Sequence, residues 1–537
     1  MAEVQNFIRI FLFLVLLFET QSSISNVPPS HILFVPIPYR SHLNVLISIT
    51  RALSHCHRIS FAVFNEDIPI VINKLQRYRS VGIVSLGPLP NVERMHELHD
   101  NESSFHLSSR ALMSNVADYR PMHDSLLSDL NVHKYDMMII DIYAHAALDL
   151  ARDLNIRFMI SALPFSVNEL NRPSWIPSGY DTLTGKHLRN SFIYRFYNFF
   201  ILPLFRVYHF ATPVRILNEH RRASNRTLLS SSSSLFDTWN SWENIPVLVA
   251  SSFALELHSH LPIDYHYIGF VLDNQTEAET DKSSDVNAWL DRSKSLDEFV
   301  VVVALGTVII PHERIWKVLI QTLDLIPQMR LLLTVPQQDK HHKILQFLSS
   351  GIDIEFRLKI VSWINQQQVL SHSFVRIFIT HGGISSLAES IYMHVPLIVL
   401  PAFADQFDNA MKVEEANIGY VVDWHTITSD LLASYINKLN DKHDSVVERL
   451  VCIHQISELA GGAQKAAKII DQWLLIGYLH LNNFNSEQSQ LSTFVKYNFD
   501  SYLLLISIFI IVIYLFLRVS KLFKYRLKSY SKHNKEQ

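Results

Sequence analysis

Cysteine is nearly missing from this chain: Cys56 and Cys452 are its only two in 537 residues. That excludes a disulfide scaffold and leaves open whether the two thiols pair. An excess of one charge is missing as well. The 47 lysines and arginines nearly balance 50 aspartates and glutamates, and a net charge of −3 gives no footprint for binding nucleic acid. No internal sequence repeat is found, only two halves of similar strand–helix alternation.

The length and a 48% hydrophobic content exceed one ordinary core, so at least two domains are expected. Both ends carry targeting information. Arg9 precedes a short apolar core, Ile10–Phe18, and Ser23-Ile24-Ser25 has the small-x-small pattern of a cleavage site. This predicts a secretory signal peptide over residues 1–25. Near the other end Tyr502–Leu517 is apolar and uncharged, followed by Arg518, Lys521, Lys524, Arg526, Lys528, Lys532 and Lys535. A membrane helix over 501–517 and a basic cytoplasmic tail over 518–537 are expected, which leaves the body lumenal. The short span suits the thin endoplasmic reticulum bilayer. Sequons at Asn101, Asn225 and Asn274 are compatible with that side.

The chain is organised around Val375–Asp408. Val375–Thr380 is an apolar, β-branched run that predicts a buried parallel strand. Gly382 and Gly383 turn the backbone, Ser385 or Ser386 is placed to cap a short helix through Tyr392, and Leu397–Leu400 predicts the next strand. Strand, glycine turn and helix N-terminus together make an anion site, because first-turn N–H groups lack intrahelical partners and the helix dipole favours negative charge. His381 adds a ring nitrogen or, if protonated, a charge. Asp405-Gln406 follows the next strand, at the sheet edge where side chains meet ligands.

Two strand ends in the first half draw attention on the same ground. His31–Val35 is a strand, and His42 stands in the loop predicted before a helix over Leu43–Leu53. With 27 histidines in the chain, position alone says little for this one. Met137–Ile140 is a buried strand closed by Asp141, a carboxylate that either caps the next helix or orients a neighbouring histidine. Asp136 precedes that strand and is expected to be exposed, and His145 and Asp149 are taken as structural. Gly306-Thr307 directly follows the strand Phe299–Leu305, another glycine and hydroxyl placed for phosphate.

The segment from Trp363 to Asn409 resembles the donor-binding signature of UDP-glycosyltransferases, in particular the membrane-bound animal branch that includes the UDP-glucuronosyltransferases. The matching residues are Trp363, Gln366, Thr380-His381-Gly382-Gly383, Ser386, Glu389, Asp405-Gln406 and Asn409. Arg40-Ser-His-Leu-Asn-Val-Leu46 is similar to the family's first loop, and Asp141 matches its acidic partner. The resemblance is thin from about Val167 to Asn274. It departs at Asn365, where the family usually has proline, and at Ser385, where many relatives carry asparagine.

The resemblance implies an α/β GT-B fold: two doubly wound, Rossmann-like domains facing a cleft, plus the C-terminal membrane helix. Residues 26–275 would be the acceptor-binding domain and 286–480 the UDP-sugar-binding domain, joined by the polar stretch Val271–Asp285. It implies inverting transfer of a sugar, glucuronic acid first, from a UDP donor to a small lipophilic hydroxyl acceptor. His42 would be the general base and Asp141 its orienter. Trp363 would stack on uracil with Gln366 beside it, and Glu389 would take the ribose hydroxyls. Thr307, His381, Gly383 and Ser386 would hold the diphosphate, and Asp405 and Gln406 the sugar, with Asn409 beside them. No cofactor or obligatory metal is expected, since no D-x-D motif stands ready for one. The other partner is the membrane, and a homo-oligomer stays open. An inactive nucleotide-sugar-binding protein is the competing class. The aromatic-rich Phe192–Phe210 would be a lid over the acceptor pocket, a segment lying on the membrane, or simple packing.

Overall fold

The computed structural model describes residues 28–78, 81–92, 94, 96–97, 103–162, 174–175, 183, 185–226, 228, 245–256, 265–272, 284–292, 298–306, 308–336, 341–348, 353–476 and 499–533. The expected signal peptide, the sequons at Asn101 and Asn274, Thr307 and most of the expected linker lie outside them. Two compact units result, residues 1–478 and 479–537, and each is described by itself.

The first unit holds two parallel sheets. In its amino-terminal half the strands are β1 (His31–Val35), β2 (Arg58–Val63), β3 (Val81–Ser85), β4 (His96–Glu97), β5 (Met137–Asp141), β6 (Phe158–Ala162), β7 (Val247–Val249) and β8 (Tyr265–Tyr267). In the second half they are β9 (Phe299–Ala304), β10 (Ile309–Ile310), β11 (Met329–Thr334), β12 (Leu358–Val361), β13 (Val375–Thr380), β14 (Leu397–Val399) and β15 (Gly419–Val421). The sheet orders are β3-β2-β1-β5-β6-β7-β8 and β12-β11-β9-β13-β14-β15, and a short β10-β4 pair links the halves. Every pairing is parallel. The central strands β5 and β9 are buried at every position, as their unbroken Met/Ile and Val runs require when helices cover both faces.

Both sheets reverse winding once. In the first, β1 leads outward to β2 and β3, and β5 then starts on its other side. In the second, β9 leads to β11 and β12, and β13 starts on its other side. A crevice opens beyond the carboxyl ends of the strands at each reversal, because consecutive connections leave there in opposite directions. The chain after β1 and β5 carries His42 and Asp141. That after β9 and β13 carries Gly306 and His381-Gly382-Gly383.

The aromatic-rich segment is helical: Phe192–Phe196, a wide-turned stretch Tyr197–Ile201, then Leu202–Ala223. One side, with Asn198, Leu202, Phe210, Val214 and Leu217, is buried. Phe192, Ile193, Phe200, Leu204 and Tyr208 are exposed on the other. The closing helix Gly462–Ile476 packs back on the Arg40–Leu53 helix, where His57 Nε2 lies 2.9 Å from Asp471 Oδ1. In the second unit one helix runs Phe499–His533, so the basic tail continues the helix of the apolar run. Among the described residues two helices are long and apolar enough to cross a membrane, Phe192–Ala223 and Tyr502–Leu522.

Candidate active site

The helix after β1 starts at Arg40, so His42 occupies its first turn and not a loop as the sequence suggested. Its Nδ1 lies 2.6 Å from Asp141 Oδ2. A carboxylate only accepts, so Nδ1 carries a proton, and in the neutral ring Nε2 keeps its lone pair. The other Asp141 oxygen accepts the Tyr143 N–H at 3.0 Å, which closes the turn after β5. The following helix is entered from Ala144, so Asp141 holds the turn and the histidine and does not cap the helix. Burial disfavours the imidazolium, yet the Asp141 carboxylate, by charge and hydrogen bond, and the Asp405 charge together outweigh it. His42 is held above the ordinary histidine value. Asp136 is exposed and accepts the His31 N–H at 2.7 Å, away from the dyad.

The glycine turn after β13 is built by Gly382, at φ +85°, where a Cβ would sit 2.6 Å from Val399 Cγ1. Gly383 has ordinary extended backbone and precedes the helix Ile384–Tyr392. No side chain caps that helix. The expected cap from Ser385 or Ser386 is therefore corrected: both lie inside the first turn, since the chain becomes helical directly after the glycines. The His381 ring fills the space over Gly306 and Gly383, where a Cβ would come within 2.8 Å and 2.5 Å of it. Burial lowers His381 to about 4, which the Ala304 backbone only partly opposes, so the ring is neutral near pH 7.

Around the Ile384–Tyr392 helix the structure gathers Gln366, Ser386 and Glu389. Gln366 Nε2 donates to Ser386 Oγ at 3.3 Å and to the Glu389 carboxylate, which also accepts from Gln367 Nε2 at 3.2 Å. Trp363 is 56% exposed, its ring open to solvent. Asn365 caps the helix Gln366–Leu370 by accepting the Gln368 N–H at 3.1 Å, so the asparagine fixes the turn by a hydrogen bond.

Asp405 and Gln406 begin the helix Asp405–Glu415. Burial, joined by the Asp408 charge, pushes the Asp405 carboxyl up to about 6 against the opposing pull of His42 and the Asn409 amide. Gln406 turns its oxygen back onto the Ala402 and Phe403 N–H groups at 2.9 and 3.3 Å. Asn409 is fully buried and donates to Gly382 O at 2.9 Å and Asp405 Oδ2 at 3.0 Å. It braces the glycine turn against Asp405 and has no exposed surface.

His42, His381, Gly383, Asp405 and Gln406 line one cavity of about 170 Å³, walled by apolar Ile37, Leu112, Phe210 and Phe403 with Tyr39, Ser108, Asn115 and Tyr143. Trp363, Gln366, Ser386 and Glu389 are outside its lining. Sequence reasoning missed Ser108, Asn115, Tyr143 and Ala404. Tyr143, two positions past Asp141, could have been found from the strand end. Ser108, Asn115 and Ala404 carry no local signal, because they reach the cavity only through the packing of the halves.

A histidine–carboxylate dyad facing a nucleotide-type glycine turn across two doubly wound sheets defines a GT-B glycosyltransferase. A solved UDP-glucosyltransferase from Polygonum tinctorium, capable of glucosylating indoxyl, has this fold with TM-score 0.58 and 20% identity, covering 84% of this chain and 100% of that one. The family model for UDP-glucoronosyl and UDP-glucosyl transferase matches residues 99–458, and the chain belongs to that family of UDP-glycosyltransferases. Xenopus laevis UDP-glucuronosyltransferase 3A1 is 24% identical over 441 residues, 76% of this chain and 75% of that relative. Rattus norvegicus 2-hydroxyacylsphingosine 1-beta-galactosyltransferase is 22% identical over 444 residues, 79% and 76%.

Proposed function

We propose that this enzyme transfers glucuronic acid from its UDP conjugate to a hydroxyl of a small lipophilic acceptor, with inversion at the anomeric carbon. The observation that carries the reading is His42, backed by Asp141 at 2.6 Å, lining one apolar cavity together with Asp405 and Gly383. The acceptor lies among Ile37, Leu112, Phe210 and Phe403, and its oxygen attacks the anomeric carbon as the bond to the diphosphate breaks. The acceptor proton goes to His42 Nε2, and Asp141 stabilises the imidazolium. UDP leaves as the anion. The N–H groups of the uncapped helix after Gly383 stabilise its charge with neutral His381 and with Thr307, and the reading calls on no metal. Trp363 stacks on uracil with Gln366 beside it, Glu389 takes the ribose hydroxyls and Asp405 the sugar hydroxyls. Gln406 and Asn409 hold the Asp405 loop.

Galactosyl or glucosyl transfer is the second reading, favoured by the names of the rat and plant relatives. The apolar Tyr502–Leu522 helix and its basic continuation fit a type I anchor in the endoplasmic reticulum, body lumenal. Microsomes expressing the chain, given UDP-glucuronate, UDP-glucose, UDP-galactose and UDP-xylose with phenol and steroid acceptors, test the reaction. Product with UDP-glucuronate that is lost in His42→Ala is the expected result. Transfer from another donor alone moves the reading to that sugar, and equal turnover by His42→Ala removes the dyad.

A further inference from the structure

The loop that delivers Asp405 is held from the opposite half of the protein. Ala404 has φ +54° and ψ −136°, a backbone conformation that a residue with a Cβ rarely adopts. Two N–H groups before it are taken inside the loop by Gln406. The Ala404 N–H itself donates to Ser108 Oγ at 3.0 Å, a partner 296 positions away. Ser108 is buried on the helix Ser104–Ala117 and lines the same cavity as His42 and Asp405. The helix after the loop has three more ties to the first half: Lys412 Nζ to Glu256 at 2.9 Å, the Lys186 N–H to Glu415 Oε1 at 2.9 Å, and Arg189 to Glu415 Oε2 at 2.9 Å.

We propose that Ser108 is a positioning residue for sugar transfer. By accepting the Ala404 N–H it keeps the strained loop in the one conformation that aims Asp405 at the donor sugar opposite His42. The sugar site is then complete only while the acceptor-binding half is docked, although the uridine contacts lie wholly in the other half. The inference rests on the role proposed above for Asp405.

The test uses full-length protein in membranes, with UDP binding, donor kinetics at saturating acceptor, and hydrogen exchange over residues 402–404. Ser108→Ala should keep parental UDP affinity while kcat/KM for the donor falls about three- to tenfold, the range for one lost neutral hydrogen bond. Ser108→Thr, which keeps the acceptor oxygen, should recover most of it. Ala404→Gly adopts the same backbone without strain, so Ser108→Ala should cost clearly less in that background. Exchange at 402–404 should quicken in Ser108→Ala with the remainder unchanged. Parental transfer by Ser108→Ala, an equal loss in both backgrounds, or unchanged exchange would each overturn the proposal. A parental enzyme that transfers no sugar defeats the proposed function instead, and the exchange result still decides whether Ser108 holds the loop.

Discussion

At the scale of single residues, the pull between burial and charge at His42 makes its titration the most informative measurement. The neutral ring is the form that takes a proton, so the acid limb of the transfer rate follows the elevated His42 value. In Asp141→Asn burial prevails, and that limb should move to lower pH while the rate falls by about 10²–10⁴. A pH–rate profile at saturating donor checks this, and an unmoved limb would detach Asp141 from His42. The linkage to folding has its own sign. A histidine raised in the folded state adds stability that is fully present below its ordinary value of about 6.5, and this is lost as pH rises through the folded value. Glu389→Ala and Asp405→Ala should separate: the first weakens binding of free UDP, the second spares UDP and impairs transfer. Calorimetry with UDP decides, each lost charge-assisted hydrogen bond weighing about 1.5–3 kcal/mol. Residues at strand ends were legible in the sequence because a buried run ends at one definable place. The brace formed by Asn409 was not, because its partners Gly382 and Asp405 meet only after the turn folds.

At the scale of elements, hydrophobic runs located the strands β1, β5, β9, β13 and β14, while β3, β6, β7 and β8 went unread. β7 and β8 are three residues each, too short to establish a period. At the helix after β13 the turn, and not a capping serine, sets the start. The Ile384–Tyr392 helix starts from a bare glycine, and Gly383 and Ile384 line the cavity; in the proposed reaction a capping side chain would occupy the diphosphate's place. The tight part of that turn gives a direct test. Gly382→Ala needs a left-handed backbone and drives a Cβ to 2.6 Å from Val399 Cγ1. It should lower stability by about 1–3 kcal/mol and weaken UDP binding together. Thermal melts with and without UDP check this. A variant that melts and binds like the parent would mean the turn has room to shift.

At the scale of the whole molecule, the second half's Asp405–Glu415 helix is joined to the first half through a buried ion cluster. Lys412 is 4% exposed and its Nζ lies 2.9 Å from Glu256 Oε2 and 2.6 Å from Asp408 Oδ2. Ser251 Oγ donates to Glu256 Oε1 at 2.6 Å. Burial alone would strip the lysine of its proton, but the two carboxylates outweigh it and raise Lys412 above its ordinary value. Its contribution to folding is therefore fully present through neutral pH and fades only in strong alkali. No pattern in the sequence announces this cluster, since Glu256 and Lys412 are 156 positions apart and each reads as an ordinary surface charge. Removing one member is far worse than its net worth, because the others remain buried and uncompensated. Lys412→Met should leave two close carboxylates facing each other and cost about 3–5 kcal/mol. Glu256→Gln should cost less, because Asp408 still neutralises the lysine. The double variant Lys412→Met with Glu256→Gln should be less unstable than Lys412→Met alone, since one of the stranded charges is gone. Urea unfolding of the detergent-solubilised protein measures all three. Additive losses would show that the two residues act separately and that this cluster does not couple the halves.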